Sequence, residues 1–391
     1  MFTNKEKKTL KTIHDTSLNV IDEVSYSNGA ILSSPKDRRY PYVYPRDCVL
    51  IDRALLALEE HEKVRKNLEF LLTHQKETGE WAQRYDWRGN PASYKPPQLD
   101  CNGLVLHMVG EYYKATQDFD FVQKYWEELT RGAYFIEEHY IPDEQMLFSA
   151  NSIHEWPPIE AGYDIWTNMT CYAGLGAVYK FSKMLGERNA LWLKMRKRLR
   201  QGIDHELMVD GRYIKLNDHQ VIEDADISEL ASYIVKIENA NNIKVRKTVE
   251  KITQDLAINE GISRYLKTYG EPGRNNGGYG AYAVYTAWMA QYFTDVDEYK
   301  KAGDYTRWFI KYNQEGHLPE HVATKKEFME WQKQAIHTGR YYKEGRKEEA
   351  ERIMNSKEYK KHELAYWVSP LTLSHGEFLL LYEKLKEKQF V

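Results

Sequence analysis

Apolar residues recur at helical spacing over most of the chain. Val49-Leu50-Ile51, Ala54-Leu55 and Leu58 follow the i, i+3, i+4 pattern that lays one apolar stripe along a helix. Asp47 stands before them as a candidate N-cap. Val64, Leu68, Leu71 and Leu72 carry the period into a second helix. The same spacing predicts helices over 5–24, 104–113, 121–136, 167–184, 190–203, 228–237, 245–256, 281–292, 299–312, 326–339 and 375–386. Strand-like stretches are brief, the best being 29–32 and 211–216.

Long loops separate these helices, at 35–46, 78–97, 142–162, 265–280 and 314–321, and each ends where a strong helix begins. Helical hairpins of roughly 55–65 residues, repeated about six times, would close a ring with every loop at one end facing a common centre. No Pro/Ser-rich linker and no low-complexity stretch divides the chain. The expectation is therefore one all-α domain over 1–391 with a single funnel of loops. Helix number alone fits an α-solenoid equally well.

Composition narrows the chemistry. Among 391 residues there are 30 Tyr and 10 Trp, whose faces stack on sugar rings. A large helical core buries many aromatics in any case. The net charge is −3 with both signs mixed, so no nucleic-acid partner is indicated. No apolar run is long enough to span a membrane, and residues 1–11 lack the apolar core of a signal peptide. Cys48, Cys101 and Cys171 are widely spaced with no CxxC, which argues against a disulfide framework or zinc site. A soluble, cytoplasmic setting is expected. The sequence contains no HExxH, EF-hand or GxSxG motif.

Two distant segments set a carboxylate among sugar-binding residue types. One is Ser152-Ile153-His154-Glu155-Trp156 and the other Gly316-His317-Leu318-Pro319-Glu320. Hydrolysis of a glycosidic bond needs two such carboxylates, one acid and one base. His154 and Trp156 would partly desolvate Glu155, which suits a general acid, and Glu160 competes for that role. In Tyr40-Pro41-Tyr42-Val43-Tyr44-Pro45-Arg46-Asp47, Arg46 and Asp47 can grip adjacent hydroxyls of a pyranose beside a tyrosine wall. The same Arg and Asp would also serve as a plain helix start. The loop from Trp81 through Tyr94 to Gln98-Leu99-Asp100 is dense in aromatics and amides, and long ordered loops are commonly functional. Arg264-Tyr265 and the Gly-rich run before Tyr282 suit close approach of backbone to a ligand rather than a nucleotide loop.

Taken in order from about 29 to 383, these segments resemble glycoside hydrolase family 15, the glucoamylases and glucodextranases. The matching elements are Tyr-x-Tyr-Pro-Arg-Asp, Gln98-Leu99-Asp100 with Gly103, Gly162 with Thr167, Arg264-Tyr265, Leu318-Pro319-Glu320, and the Pro-Leu-Thr and Ser-His elements of 369–378. The resemblance implies an (α/α)6 barrel, a six-hairpin toroid, that hydrolyses α-glucosidic bonds of an oligosaccharide with inversion. It implies Glu155 as acid and Glu320 as base, with no metal or organic cofactor. It implies a sugar site built from Tyr44, Arg46, Asp47, Trp81, Tyr94, Asp100, Trp156, Arg264 and Tyr282. The acid motif departs from the family's usual Trp-Glu-Glu, with Pro157-Pro158 inserted after it, so Glu160 stays open as the acid. Tyr44, Tyr94, Tyr282 and Leu373 stand where Trp is common, and His321 follows the base where Gln is usual. A trehalose or dextran-type specificity, or a non-catalytic sugar-binding domain like that of phosphorylase kinase subunits, are the alternatives.

Overall fold

The computed structural model describes residues 1–153, 161–187, 189–218, 220–264, 266 and 280–391. Twelve helices, numbered in chain order, build the ring. They are α1 Asn4–Val24, α2 Pro45–Ala57, α3 His61–Thr73, α4 Leu99–Thr116, α5 Trp126–Glu138, α6 Ile165–Met184, α7 Ala190–Glu206, α8 Ala231–Ile234, α9 Ile243–Leu256, α10 Ala283–Asp295, α11 Tyr299–Tyr312 and α12 Thr372–Glu387. Even-numbered helices form an inner ring in which α2 packs on α4, α4 on α6, α6 on α8, α10 on α12 and α12 on α2. Tyr233 of α8 closes the remaining gap. Its hydroxyl donates to Asp295 at 2.8 Å and its ring meets Tyr292 edge-on. Odd-numbered helices pack outside. This is an (α/α)6 barrel.

The pattern of burial explains which helices go inside. In α4, 14 of 18 residues are buried, so it is covered on nearly every side, as a helix of an inner ring must be. Outer α11 buries one stripe, Ala302, Gly303, Thr306, Trp308, Phe309 and Tyr312, and turns its charged residues outward. Local signals set the ends. A capping box of Thr3 and Glu6 starts α1, Pro45 occupies the first turn of α2, and Asp164 accepts from the Thr167 N–H at 2.8 Å to start α6. All three cysteines are buried and unpaired. No helix among the described residues is long and apolar enough to cross a membrane.

Several predicted elements change on folding. The helix expected at 121–136 breaks at Tyr125 into Phe119–Lys124 and α5. The one at 228–237 becomes a 3-10 turn, Ile227–Leu230, followed by the single-turn α8. Residues 29–32 contribute only an isolated bridge between Ser25 and Ile31. Ala281–Tyr282, read as helix, is instead strand β1. It pairs antiparallel with β2, His321–Thr324, which pairs with β3, Leu364–Trp367. Between β2 and β3 lie three helices, Lys325–His337, Arg346–Asn355 and Lys357–His362. Only the first carries a clear apolar period. The last buries no residue at all, which is why its sequence gives no helical signal. Phe328, Trp331, Tyr341, Ile353 and Trp367 give this excursion its own small core.

The inner ring is tight enough to require glycine. A Cβ on Gly103 of α4 would lie 2.4 Å from the Cys171 nitrogen, and one on Gly174 of α6 would lie 2.5 Å from the Gly103 carbonyl oxygen. Both obstacles are backbone, so neither can swing aside. Gly103→Ala is expected to destabilise the fold by at least the ~1–3 kcal/mol typical of overpacking. A lowered urea midpoint with an unchanged m-value checks it.

Candidate active site

Glu320 stands one residue before β2, and backbone geometry fixes it from both sides. Its N–H donates to the carbonyls of Trp367 (2.9 Å) and Val368 (3.1 Å), and its own carbonyl accepts from the Ala283 N–H at 3.0 Å. Behind it, Pro319's carbonyl accepts the Ser374 hydroxyl at 2.7 Å, and Leu318's N–H donates to His375 Nε2 at 3.1 Å. Since Nε2 accepts, the ring proton sits on Nδ1 and donates to the Ser17 hydroxyl at 2.7 Å. Ser17 donates onward to the Ile13 carbonyl. The Ser-His pair of the last helix is thus a bracket for the Leu-Pro-Glu segment, tied through to α1.

Val368 supplies the other half of the bracket at a conformational cost. Its φ is +41°, a left-handed backbone that a β-branched residue rarely adopts. The Val368 N–H donates to the buried Glu349 carboxylate at 3.0 Å, and Arg352 pairs with that carboxylate. Glu349 therefore helps hold the strained residue whose carbonyl receives the Glu320 N–H. Nothing in the sequence pointed to Glu349. Its link to Glu320 exists only through the excursion between β2 and β3.

The Glu320 side chain opens on a cavity of about 500 Å³. One carboxylate oxygen, Oε2, is shut off from solvent and has no hydrogen-bond partner among the described residues. Burial pushes the carboxyl up to about 7, against the pull of the Arg39 and Arg264 guanidiniums. Cross-strand pairing places Tyr282 opposite His321 and His321 opposite Trp367. The His321 ring stacks between them at 4.4 and 5.8 Å, and burial holds it neutral, with its pKa down to about 3.

The Arg-Asp motif faces the same cavity from the first turn of α2. Arg46 Nη1 donates to Asp100 at 2.9 Å and to Gln98 at 3.1 Å. Asp100 also accepts the Trp166 indole N–H at 2.9 Å, and Trp166 stacks on Trp288 with centroids 5.7 Å apart. Asp47 accepts the Ser33 hydroxyl at 2.7 Å. The segment that leads into 154 is anchored as well. Gln98 donates to the Ser152 carbonyl, Arg264 to the Ile153 carbonyl, and Asn151 to the Pro96 carbonyl.

Of the residues proposed from sequence, the structure gathers Tyr44, Arg46, Asp47, Tyr94, Arg264, Tyr282 and Glu320 around one cavity. Tyr94 is at its open rim, 84% exposed. Asp100 is buried behind Arg46 and acts by holding that guanidinium rather than by lining the space. Trp81 requires a correction. It is fully buried in the core, its indole N–H donates to the Leu71 carbonyl at 2.8 Å, and its ring packs on Gly132. Loop position misled here, because an aromatic loop residue can turn inward to fill the core. Glu155, Trp156 and Glu160 lie outside the described residues. Arg39 and Arg84, not singled out from sequence, also line the cavity.

No family model matches the chain. An uncharacterized glycosyl hydrolase of Methanocaldococcus jannaschii, MJ1610, is 24% identical over 319 residues, covering 75% of this chain and 49% of its own. Trehalase 2 of Sulfolobus acidocaldarius is 23% identical over 237 residues, covering 59% of this chain and 38% of its own. The chain thus spans about half the length, or less, of these curated relatives. A solved wild-type glycosidase superposes with a TM-score of 0.76 at 17% identity, covering 99% of both chains. A variant of that glycosidase is known in complex with glucose. A bacterial glucoamylase complexed with acarbose gives 0.69 at 15% identity, over 96% of this chain and 55% of its own. The glucoamylase of Saccharomycopsis fibuligera gives 0.66 at 11% identity, over 99% and 96%. The fold is that of the glucoamylases.

The bracket behind Glu320 carries a pH signature. Burial lowers His375 from 6.5 to about 3, so the unfolded chain takes up a proton there that the folded chain refuses. Stability from this source is full above about 6.5 and falls as pH drops from there toward 3. In His375→Gln the amide oxygen can still accept from Leu318 but cannot titrate. Urea unfolding across this range is expected to show a slope smaller by one proton than in the parent chain.

Proposed function

We propose that this chain is an inverting glycoside hydrolase that releases glucose from the non-reducing end of α-glucosidic oligosaccharides. The observation that carries it is Glu320. It is a carboxylate clamped through its backbone, partly desolvated, flanked by Arg39 and Arg264, and open to a cavity edged by tyrosines and the Arg46–Asp47 corner. The glucoamylase fold and the glycosyl hydrolase relatives support the same reading. The resemblance to Trehalase 2 supports trehalose as a second substrate.

In this mechanism Glu320 accepts a proton from water as the water attacks the anomeric carbon. Glu155, or Glu160 in its place, protonates the departing oxygen. Arg46, Asp47 and Arg264 hold the hydroxyls of the terminal sugar. Two carboxylates supply both proton transfers, so the reaction calls for no cofactor.

Glu320→Gln keeps the shape and removes the base, and is expected to lower kcat by about 10²–10⁴-fold with binding nearly kept. A base must be ionised to act. With the carboxyl raised to about 7, kcat/KM for maltose is expected to climb as pH rises through that value. A pH profile with no limb near neutrality would count against this role.

Direct attack by water also fixes the stereochemistry. Early proton NMR spectra of maltose cleavage are expected to show β-glucose first from the non-reducing unit. Release of α-glucose would mean retention and would overturn the mechanism.

A further inference from the structure

Arg39 and Arg84 are two guanidiniums in the cavity wall that the proposed hydrolysis does not use. Arg39 lies over the Tyr40 ring at 4.8 Å and the Trp367 ring at 5.4 Å, and among the described residues only its Nε is hydrogen bonded, to the Glu344 carbonyl at 3.3 Å. Arg84 lies over the Tyr42 ring at 4.7 Å. Its Nε donates to the Ala92 carbonyl at 3.0 Å and its Nη1 to the Tyr44 hydroxyl at 3.2 Å. Among the described residues neither has a carboxylate as hydrogen-bond or ion-pair partner, and Arg39 Nη1 has no partner at all. Nearby carboxylates are matched elsewhere, Glu344 to Arg346 at 3.3 Å and Glu349 to Arg352. The other carboxylates lining the cavity are Asp37, paired with Arg38 at 3.7 Å, Asp47, which accepts from Ser33, exposed Glu348, and Glu320 itself.

The stacking matters physically. A guanidinium held over an aromatic ring has already lost part of its side-chain freedom, so a ligand that meets its remaining N–H groups has less to order. The matching chemistry is a planar or tetrahedral oxyanion. Position indicates where on the substrate that anion sits. Arg84 is tied to Ala92, two residues before exposed Tyr94, and Arg39 to exposed Glu344. Arg84 therefore lies toward the mouth of the cavity, the side that would take the leaving group, while Arg39 lines the same cavity over buried Trp367 with its Nη1 shut off from solvent.

We propose that this site prefers α-glucosides whose leaving group bears an anionic substituent, a phosphate monoester or a carboxylate. This rests on the cavity being the sugar site. The probes are maltose, maltose with a 6-phosphate on its reducing glucose, and maltobionate. Titration calorimetry on the full-length Glu320→Gln protein reads binding without turnover, and kcat/KM is read on the parent chain. At low ionic strength the favoured anionic probe is expected to exceed maltose by about tenfold or more in both, since charge-assisted hydrogen bonds are among the stronger ones. The phosphate and carboxylate arms identify which oxyanion is favoured. Arg39→Met and Arg84→Met, combined with Glu320→Gln for the binding arm, are expected to bring the anionic-to-neutral ratio toward one. A ratio cancels any change these variants make at Glu320 itself.

Equal or weaker binding of both anionic probes overturns the proposal, as does a preference that survives both variants. Equal cleavage of all three probes sinks it and leaves the hydrolase reading intact. An anionic binding preference in a chain that cleaves none of the probes supports it and sinks the hydrolase reading instead.

Discussion

Everything at the cavity depends on how one backbone amide is held. The Glu320 N–H lies between the carbonyls of Trp367 and Val368, and that clamp fixes where the carboxylate points. A free glutamate in a loop would turn its charge toward water. Here the chain leaves it little choice, and one oxygen ends up sealed from solvent without a partner among the described residues. Such a group is costly to bury, and the cost appears as a carboxyl that releases its proton only near neutrality. The arginines on either side limit that shift without abolishing it. A carboxylate with unmet hydrogen-bonding capacity, next to an open space, can gain from a water molecule or a hydroxyl placed there. That is the condition the proposed role as general base requires.

The clamp is assembled from remote parts of the chain. Residues 318–320 lie against α12 through His375 and Ser374, and against α1 through Ser17. Val368 sits in an unfavourable backbone conformation that Glu349 and the surrounding core over-determine. Inner-ring packing determines how firmly these pieces sit. Where two helices approach closely enough to forbid a methyl group at Gly103 and Gly174, the ends that carry Asp100 and Trp166 cannot drift. Those two residues in turn hold Arg46. Precision at the site comes from rigidity in the barrel.

How much of this was legible in the sequence follows from the distance over which each signal acts. Helical period found nearly all of the ring, because an amphipathic face is a local property. It failed at Ala281–Tyr282, where three strands meet, and at Arg346–Asn355 and Lys357–His362, which are too polar to show a stripe. Contiguous motifs singled out Glu320, Arg46, Asp47 and Arg264, which line one cavity, since each lies in a short segment with a readable chemical logic. Trp81 was misplaced because residue type does not say whether an aromatic turns inward. Glu349, Arg39 and Arg84 went unremarked because their meaning lies in what they touch, and the decisive contacts, such as Arg39 with Glu344 and Trp367 or Glu349 with Val368, are made only once the chain has folded.

The charge balance of the cavity extends the same logic from catalysis to selection. Glucose is neutral, and a site for neutral sugars is served by tyrosine faces and one arginine–aspartate corner. Each further guanidinium left without a carboxylate raises the local potential and destabilises the empty site through mutual repulsion. That penalty also helps explain Glu320. Arg39 is the nearer of the two to the carboxylate in its electrical effect and holds its pKa below what burial alone would give. An anion bound at Arg39 would offset that pull and raise the pKa of Glu320, weakening the ionised base. Arg84 is not among the leading influences on Glu320, so an anion bound there would disturb the carboxyl less. Of the two arginines, Arg84 is therefore the one whose recognition of a charged leaving group would disturb Glu320 less.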